Sequence, residues 1–379
     1  NEKAISLLGI CYLRSFDFNN ARHYIYKALD LCSSPEAFTN AIFYNSILDD
    51  QNETLRLIEV FLETYPDNNN AKTLKGFHLL RQTQFKPGWD HYKYRNSKDP
   101  LVTYIKNNNQ IDEWDLRSSV DNILLIADQG IGDEVMFVRI LDLLDITDFT
   151  LCVDDRLLNI VKNSYPEITI VGKKELHNKL DKVNSYTHYK LLADLCSKYI
   201  ISLDTIGELK NPYLRVNREL DIKQKEKIID NKKINVGISW HTTNESRFTA
   251  NLTGNEIKKL SENQDYNLIN LQYGNHEKVI NQYKLKSLSE IDYKNDIDKI
   301  FEIINTCDFV ITIDNCIAHF SGAIGKKTYL LLPINSDWRW FGGNKKTIWY
   351  DSITIFKQDS DYSYTSAIDA IIKETKSLS

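Results

Sequence analysis

Apolar positions in the first hundred residues recur every three or four places, the spacing of one helix face. From residue 119 onward they gather into short unbroken runs separated by amphipathic stretches. The first pattern predicts helices. The second predicts parallel α/β sheets, whose strands are buried on both faces and therefore read as continuous apolar runs. Strands are expected at 122–127, 149–153 and 168–171, with helices at 133–144 and 155–164 and a helical stretch over 186–200. A second series has strands at 234–240, 267–272, 309–314, 328–332 and 353–356, and helices near 254–263, 275–284, 297–306, 317–324 and 363–376. The predicted organisation is helical for residues 1–96, then one α/β domain over 119–215 and another over 233–379. Between them lie an aperiodic stretch, 96–119, anchored by Trp114, and a mixed-charge run from Lys223 to Lys233 that reads as a solvated linker. Two such α/β domains leave a cleft at the carboxyl ends of their strands, where open sheets bind ligands.

The helical part repeats. Leu8, Gly9 and Tyr12, followed by Ala21, Ile25 and Ala28, return about 34 residues later as Ile42, Asn45, Thr54, Ile58 and Phe61, with Pro66 closing the unit. A third copy carries Gly76, Leu79, Gly88 and Tyr92. Small residues at such positions let two antiparallel helices approach closely. The pattern resembles the tetratricopeptide repeat, and an unrelated helical bundle is the alternative.

Composition narrows the class. Of 379 residues 42% are hydrophobic and 26% charged, and the net charge is −5, so a disordered chain and a broad basic surface for nucleic acid are both excluded. The six cysteines lack any C-x-x-C pairing, and several sit in apolar runs, which points to a reduced, cytoplasmic setting. No run reaches the roughly 18 to 20 apolar residues of a membrane span. The chain opens at Asn1 and holds one methionine, Met136, and so reads as a piece of a longer protein.

Chemistry concentrates where predicted strands end. In Ala127-Asp-Gln-Gly-Ile-Gly-Asp-Glu-Val-Met-Phe137 a strand runs into Gly130 and Gly132 and then a helix with Asp133 in its first turn. Turns of this kind hold phosphate on backbone N–H groups. A carboxylate pressed against a diphosphate would be repelled, so Asp133 makes sense as a base facing a ligand held by the other domain. Asp314-Asn-Cys-Ile-Ala-His319 is a second strand-to-helix turn. There Asn315 and Cys316 could donate backbone N–H groups to a diphosphate and His319 could reach a phosphate oxygen. The plainer alternative has Asp314 capping the helix and His319 packing beneath the sheet. Trp240 and His241 end a third strand, and Arg247 in the loop beyond them suits a bidentate phosphate clamp. Gln272 ends a fourth and offers an amide to a base or ribose edge, while Glu277 could accept from ribose hydroxyls. Asp337-Trp-Arg-Trp340 reads as either sugar stacking or interdomain packing. Zinc-type Cys/His spacing, a G-x-S-x-G elbow and a Walker G-K-[ST] are all absent from the sequence.

Taken in order, Gln129-Gly-Ile-Gly-Asp133, the Gly237–Trp240 strand, Asn270-Leu-Gln272, Asp314 to His319, Gly325-Lys326 and Leu332-Pro333 with Asp337-Trp-Arg-Trp340 resemble one family. It comprises the tetratricopeptide-repeat proteins that carry a glycosyltransferase domain similar to the ADP-heptose:lipopolysaccharide heptosyltransferases. The likeness includes Gly88-Trp89 and Tyr92 to Arg95 at the end of the repeats. It implies a GT-B arrangement of two Rossmann-like domains, acceptor in the first and nucleotide-sugar in the second. It also implies Asp133 as general base of an inverting displacement that needs neither metal nor other cofactor, and a donor site containing Asp314, Asn315, Cys316 and His319. Asp128-Gln129 stands where the family has Glu-Gln, and Asn315 where it has threonine, a lost hydroxyl that bears on which donor is accepted. The expected activity is sugar transfer from a nucleotide-sugar to a protein or glycan acceptor recruited by the repeats. A non-catalytic scaffold with a relic transferase domain, and a nucleotide-sugar epimerase, are the alternatives.

Overall fold

Six helices alternate with tight turns over the first ninety residues: α1 (Glu2–Arg14), α2 (Phe18–Leu31), α3 (Pro35–Ile47), α4 (Gln51–Thr64), α5 (Asn69–Arg81) and α6 (Phe85–Tyr92). Both the odd and the even helices begin first 33 and then 34 residues apart, so the sequence period is a period of helical hairpins. The turns repeat as well. Phe16, Asp49 and Thr83 each take the left-handed backbone region, with φ of 61°, 58° and 59°, and reverse the chain between the two helices of a hairpin. Asp17, Ser34, Asp50 and Asn68 then cap the following helices by accepting the N–H three residues on, each contributing about 1 kcal/mol. Gly9 and Gly88 hold the helices of a pair together. A Cβ on Gly9 would lie 2.6 Å from Ile25 Cγ1, and one on Gly88 would lie 2.8 Å from Leu80 Cγ and Cδ2.

The computed structural model describes residues 2–97, 99–108, 111–209, 211–341 and 345–378; residues 1 and 379, which bound the first and last predicted domains, lie outside them. The chain divides into two units. The helical one comprises residues 1–96 together with the distant segment 334–342. In it Trp338 stacks on Phe77, with ring centroids 6.2 Å apart, and stands edge-on to Trp89 and Tyr92 at 5.6 and 5.2 Å, while Phe341 meets Phe85 at 5.5 Å. Of the two readings of the tryptophan pair, packing is the role Trp338 has.

The second unit holds two five-stranded sheets, every strand pair parallel. The first sheet contains β1 (Asp112–Glu113), β2 (Ile123–Ile126), β3 (Phe149–Val153), β4 (Thr169–Gly172) and β5 (His188–Leu191), in the order β1-β5-β2-β3-β4. The second contains β6 (Ile234–Ser239), β7 (Tyr266–Asn270), β8 (Phe309–Ile313), β9 (Thr328–Leu332) and β10 (Ile353–Lys357), in the order β10-β9-β8-β6-β7. Around the first sheet run α7 (Pro100–Asn108), α8 (Ile131–Val138), α9 (Leu158–Ser164), α10 (Lys173–Asn178), α11 (Leu180–Val183), α12 (Cys196–Tyr199) and α13 (Leu203–Gly207). Then follow α14 (Ile222–Ile228), α15 (Gly254–Ser261), α16 (Glu277–Gln282), α17 (Ile297–Thr306), α18 (Cys316–Ala323) and α19 (Thr365–Thr375). Two parallel sheets with helices are compatible with a GT-B fold. Among the described residues no helix is long and apolar enough to cross a membrane.

Three expectations need correction. The stretch 186–200 is not one helix. It opens with β5, whose buried Tyr189 and Leu191 alternate with less buried His188 and Lys190, and only the following Leu192, Leu195 and Cys196 supply helical spacing. The charged run 223–233 is not simply a solvated linker, because α14 occupies its first half and buries Gln224 and Ile228. The aperiodic 96–119 stretch contributes α7, whose Leu101, Val102 and Ile105 join the apolar core under the first sheet.

Candidate functional site

The four residues of β2 are buried on both faces, and the chain leaves them through Asp128 and through Gln129 at φ 76°. Asp133 occupies the third position of α8, and its Oδ2 accepts the Gly130 N–H at 3.3 Å, so the acid caps its own helix from within the first turn. Glu134 turns the opposite way. It is buried, accepts the Asp154 N–H at 2.7 Å and receives Lys173 Nζ at 2.7 Å, and Lys173 also meets Asp99 at 2.7 Å. Burial pushes the Glu134 carboxyl up to about 7, against the pull of Lys173. Burial also opposes the charge on Lys173, but Glu134 and Asp99 overcome it and hold the ammonium above its ordinary range. Both carboxylates thus share one cation directly behind the turn that carries Asp133.

The second sheet supplies a cross-linked rim. Gln272 Oε1 accepts from Ser239 Oγ at 3.0 Å and from the backbone N–H groups of Trp240 and His241 at 3.0 and 2.8 Å. Asn315 Nδ2 donates to Ser239 Oγ at 2.7 Å while its Oδ1 caps α18 through the Ile317 N–H. The ends of β6, β7 and β8 are thereby held as one surface. The expectation that Gln272 presents its amide outward is corrected: the side chain is buried, its oxygen is taken up by the β6 end, and its Nε2 donates to the Tyr273 carbonyl. Arg247 is likewise not a free clamp, since its Nη1 pairs with the buried Asp314 at 2.8 Å. Trp240 is buried edge-on to His276, and the His241 and His276 rings lie 5.1 Å apart. Glu277 is exposed at the start of α16.

The two halves of this unit meet where α8 and α18 touch. A Cβ on Gly132 would lie 3.0 Å from His319 Cδ2 and 3.3 Å from Cys316 Cα. At this contact Gly132 of the first strand-to-helix turn meets Cys316 and His319 of the second. Burial raises the Cys316 thiol to about 11 and so keeps it protonated. His319 is buried, with Nδ1 2.9 Å from the Tyr350 hydroxyl. Tyr350 went unnoticed in the sequence because nothing in its neighbourhood marks it. Glu134 and Lys173 were missed because a buried ion pair across 39 residues leaves no local pattern. Among the described residues no group of three or more His, Cys, Asp or Glu side chains is placed to hold a metal ion.

Because a Cβ at Gly132 would already crowd His319 and the Cys316 backbone, the branched side chain of Gly132→Val is expected to push α8 and α18 apart. Overpacking of this kind costs about 1–3 kcal/mol, which a thermal melt would register. A variant as stable as the parent would show that the contact is slack.

No family model matches the chain. Protein FlbA of Caulobacter vibrioides is 24% identical over 313 residues, 73% of this chain and 50% of that protein. The chain thus spans about half the length of that relative. Among solved structures, a glycosyl transferase family 9 protein from Veillonella parvula is 14% identical, with 68% of this chain and 93% of that one covered and a TM-score of 0.44. ADP-heptose lps heptosyltransferase II of E. coli is 10% identical, with 66% and 98% covered and a TM-score of 0.43.

Proposed function

We propose that the chain is a nucleotide-sugar-dependent glycosyltransferase, with the donor on the second sheet and Asp133 as the general base of an inverting transfer. The supporting observation is the α8–α18 contact at Gly132. It sets a carboxylate in the first turn of one sheet's helix beside the amino-terminal turn of the other sheet's helix. An amino-terminal helix turn favours an anion such as a leaving diphosphate, and the neighbouring acid is suited to take the proton of an attacking hydroxyl. Asp314 and Arg247 neutralise each other, so on this reading the diphosphate relies on backbone N–H groups and His319 rather than on a free arginine. The transfer is metal-independent and the protein cytoplasmic.

Calorimetric titration of the full chain with ADP, GDP, UDP and CDP is the direct test. One of them should bind, and EDTA should change neither binding nor transfer. If none binds, the donor site is misassigned. If chelation abolishes activity and magnesium or manganese restores it, the metal-independent mechanism is wrong.

The helical hairpins we read as tetratricopeptide repeats that recruit a protein or glycan-bearing acceptor. Their support is the period shared by helices, left-handed turns and caps, and arrays of this kind present extended grooves to other chains. Removing residues 1–33 deletes the first hairpin but leaves Phe77, Trp89, Tyr92 and Trp338 together. The apparent KM for the natural acceptor should rise while nucleotide binding stays constant. An unchanged KM would make the arm structural.

A further inference from the structure

One rung at the edge of the second sheet is open. β7 forms that edge, and β6 is the one strand beside it. The odd-numbered residues of β7 face β6: the Asp265 carbonyl accepts the Ile234 N–H at 2.8 Å, and the Leu271 N–H donates to the Ile238 carbonyl at 2.9 Å. The backbone groups of Tyr266, Leu268 and Asn270 therefore point away from the sheet. Lys286 fills the later rung, its N–H donating to the Leu268 carbonyl at 2.8 Å and its carbonyl accepting from Asn270 at 2.8 Å. Lys284 stands where the rung before it would be filled, but its backbone is left-handed at φ 54° and its N–H turns back to the Asn281 carbonyl at 3.3 Å. Among the described residues the Tyr266 carbonyl and the Leu268 N–H have no partner. Tyr266 and Leu268 line a groove of about 670 Å³, whose walls carry Lys233, Lys258, Lys284 and Lys286 against two acids, Asp230 and Glu262. All four lysines are exposed. Lys258 meets Glu262 at 3.6 Å, whereas among the described residues Lys233, Lys284 and Lys286 form no ion pair.

We propose that this groove binds the carboxyl-terminal end of an extended, acidic polypeptide segment. A strand entering parallel to β7 answers the open rung with a single residue, whose N–H donates to the Tyr266 carbonyl while its own oxygen accepts the Leu268 N–H. Lys286 already holds the next rung, so the incoming strand ends there, and the oxygen at Leu268 belongs to its terminal carboxylate. Lys284 and Lys286 supply cations for that carboxylate, and acidic side chains earlier in the segment suit Lys233 and Lys258. A nucleic-acid backbone would match the lysines, but phosphodiesters only accept and would leave the Tyr266 carbonyl unanswered. The groove lies at the start of β7, whereas the candidate transfer site lies beyond the strand's end, so the assignment does not depend on the transferase reading.

The test is fluorescence anisotropy of the full chain with a fluorescein-labelled peptide of alternating Glu and Val that ends in a free carboxylate. The peptide should bind, and more weakly as salt is raised. Its carboxyl-terminal amide should bind at least about tenfold more weakly, the loss expected of one hydrogen bond to a charged group. Reversing two cations of the groove together, Lys284→Glu with Lys286→Glu, should weaken binding by about tenfold or more, because like charges across an interface repel. Both side chains are exposed, so the fold should tolerate the change. The same reversal at Lys27 and Lys86, exposed on the helical unit, should leave binding unaltered. Absence of binding overturns the proposal, as does an amide that binds as well as the free acid or a groove reversal without effect. A single-stranded DNA oligomer that binds more tightly than the peptide, and is lost in the same groove variant, would make the groove a polyanion surface instead.

Discussion

Asp133→Asn is expected to lower turnover about 10²- to 10⁴-fold, the range a general base contributes, with affinity for the nucleoside diphosphate unchanged. The expectation depends on what asparagine keeps. Its Oδ1 can still accept the Gly130 N–H, as the carboxylate does at 3.3 Å, so the first turn of α8 and the Gly132 contact should survive. What it loses is the basicity needed to take a hydroxyl proton. A structural acid at this position would give a different pattern, with the melting temperature and nucleotide binding falling together. Single-turnover kinetics beside a calorimetric titration separate the two cases, and undiminished turnover would remove Asp133 from the mechanism.

Lys173→Met is expected to cost about 3–5 kcal/mol of stability, the usual consequence of stripping one partner from a buried ion cluster. Glu134 and Asp99 would then face each other without the cation both contact at 2.7 Å. The loss should depend on pH with a definite sign. In the parent the Glu134 carboxyl titrates near 7, above its ordinary 4.5, so the folded state binds more protons than the unfolded one between those values. Stability contributed by this group is present in acid and falls as pH rises through the window. Removing Lys173 raises the carboxyl further, so parent and variant should lose stability in parallel between about pH 4.5 and 7, and the deficit should grow from about pH 7 to pH 9, where the parent's carboxyl has ionised and the variant's has not. Glu134→Gln should flatten the slope. Urea unfolding followed by tryptophan fluorescence across this range would show it, and a deficit independent of pH would mean that Lys173 acts through packing alone.

The legible parts of the fold are those where burial is uniform. The strand Phe309–Ile313 is buried along its whole length and reads directly from its apolar run, as does Thr328–Leu332. His188–Leu191 is buried only at alternate positions, and four residues of alternation are too few to stand against the helical spacing that follows. In the site, the acid, the glycines and the histidine were visible because each sits at the junction of an apolar run and a helix start. The inward turn of Gln272 was not, since it depends on β6 lying beside β7 in a register that pairs Ile238 with Asn270. Tyr350 acquires its meaning only through His319, 31 residues away, a separation that no local pattern encodes.

The nine-residue return of the chain to the helical unit has a consequence for synthesis. Phe77, Trp89 and Tyr92 emerge early, whereas Trp338, which fills the space among them, is made only after the first sheet and most of the second. The roughly 240 residues between Asn96 and Ile334 take on the order of 10–50 s at about 5–20 residues per second. Over that interval the nascent arm carries an unfilled aromatic cleft, and its last hairpin waits for a segment the ribosome has not yet delivered.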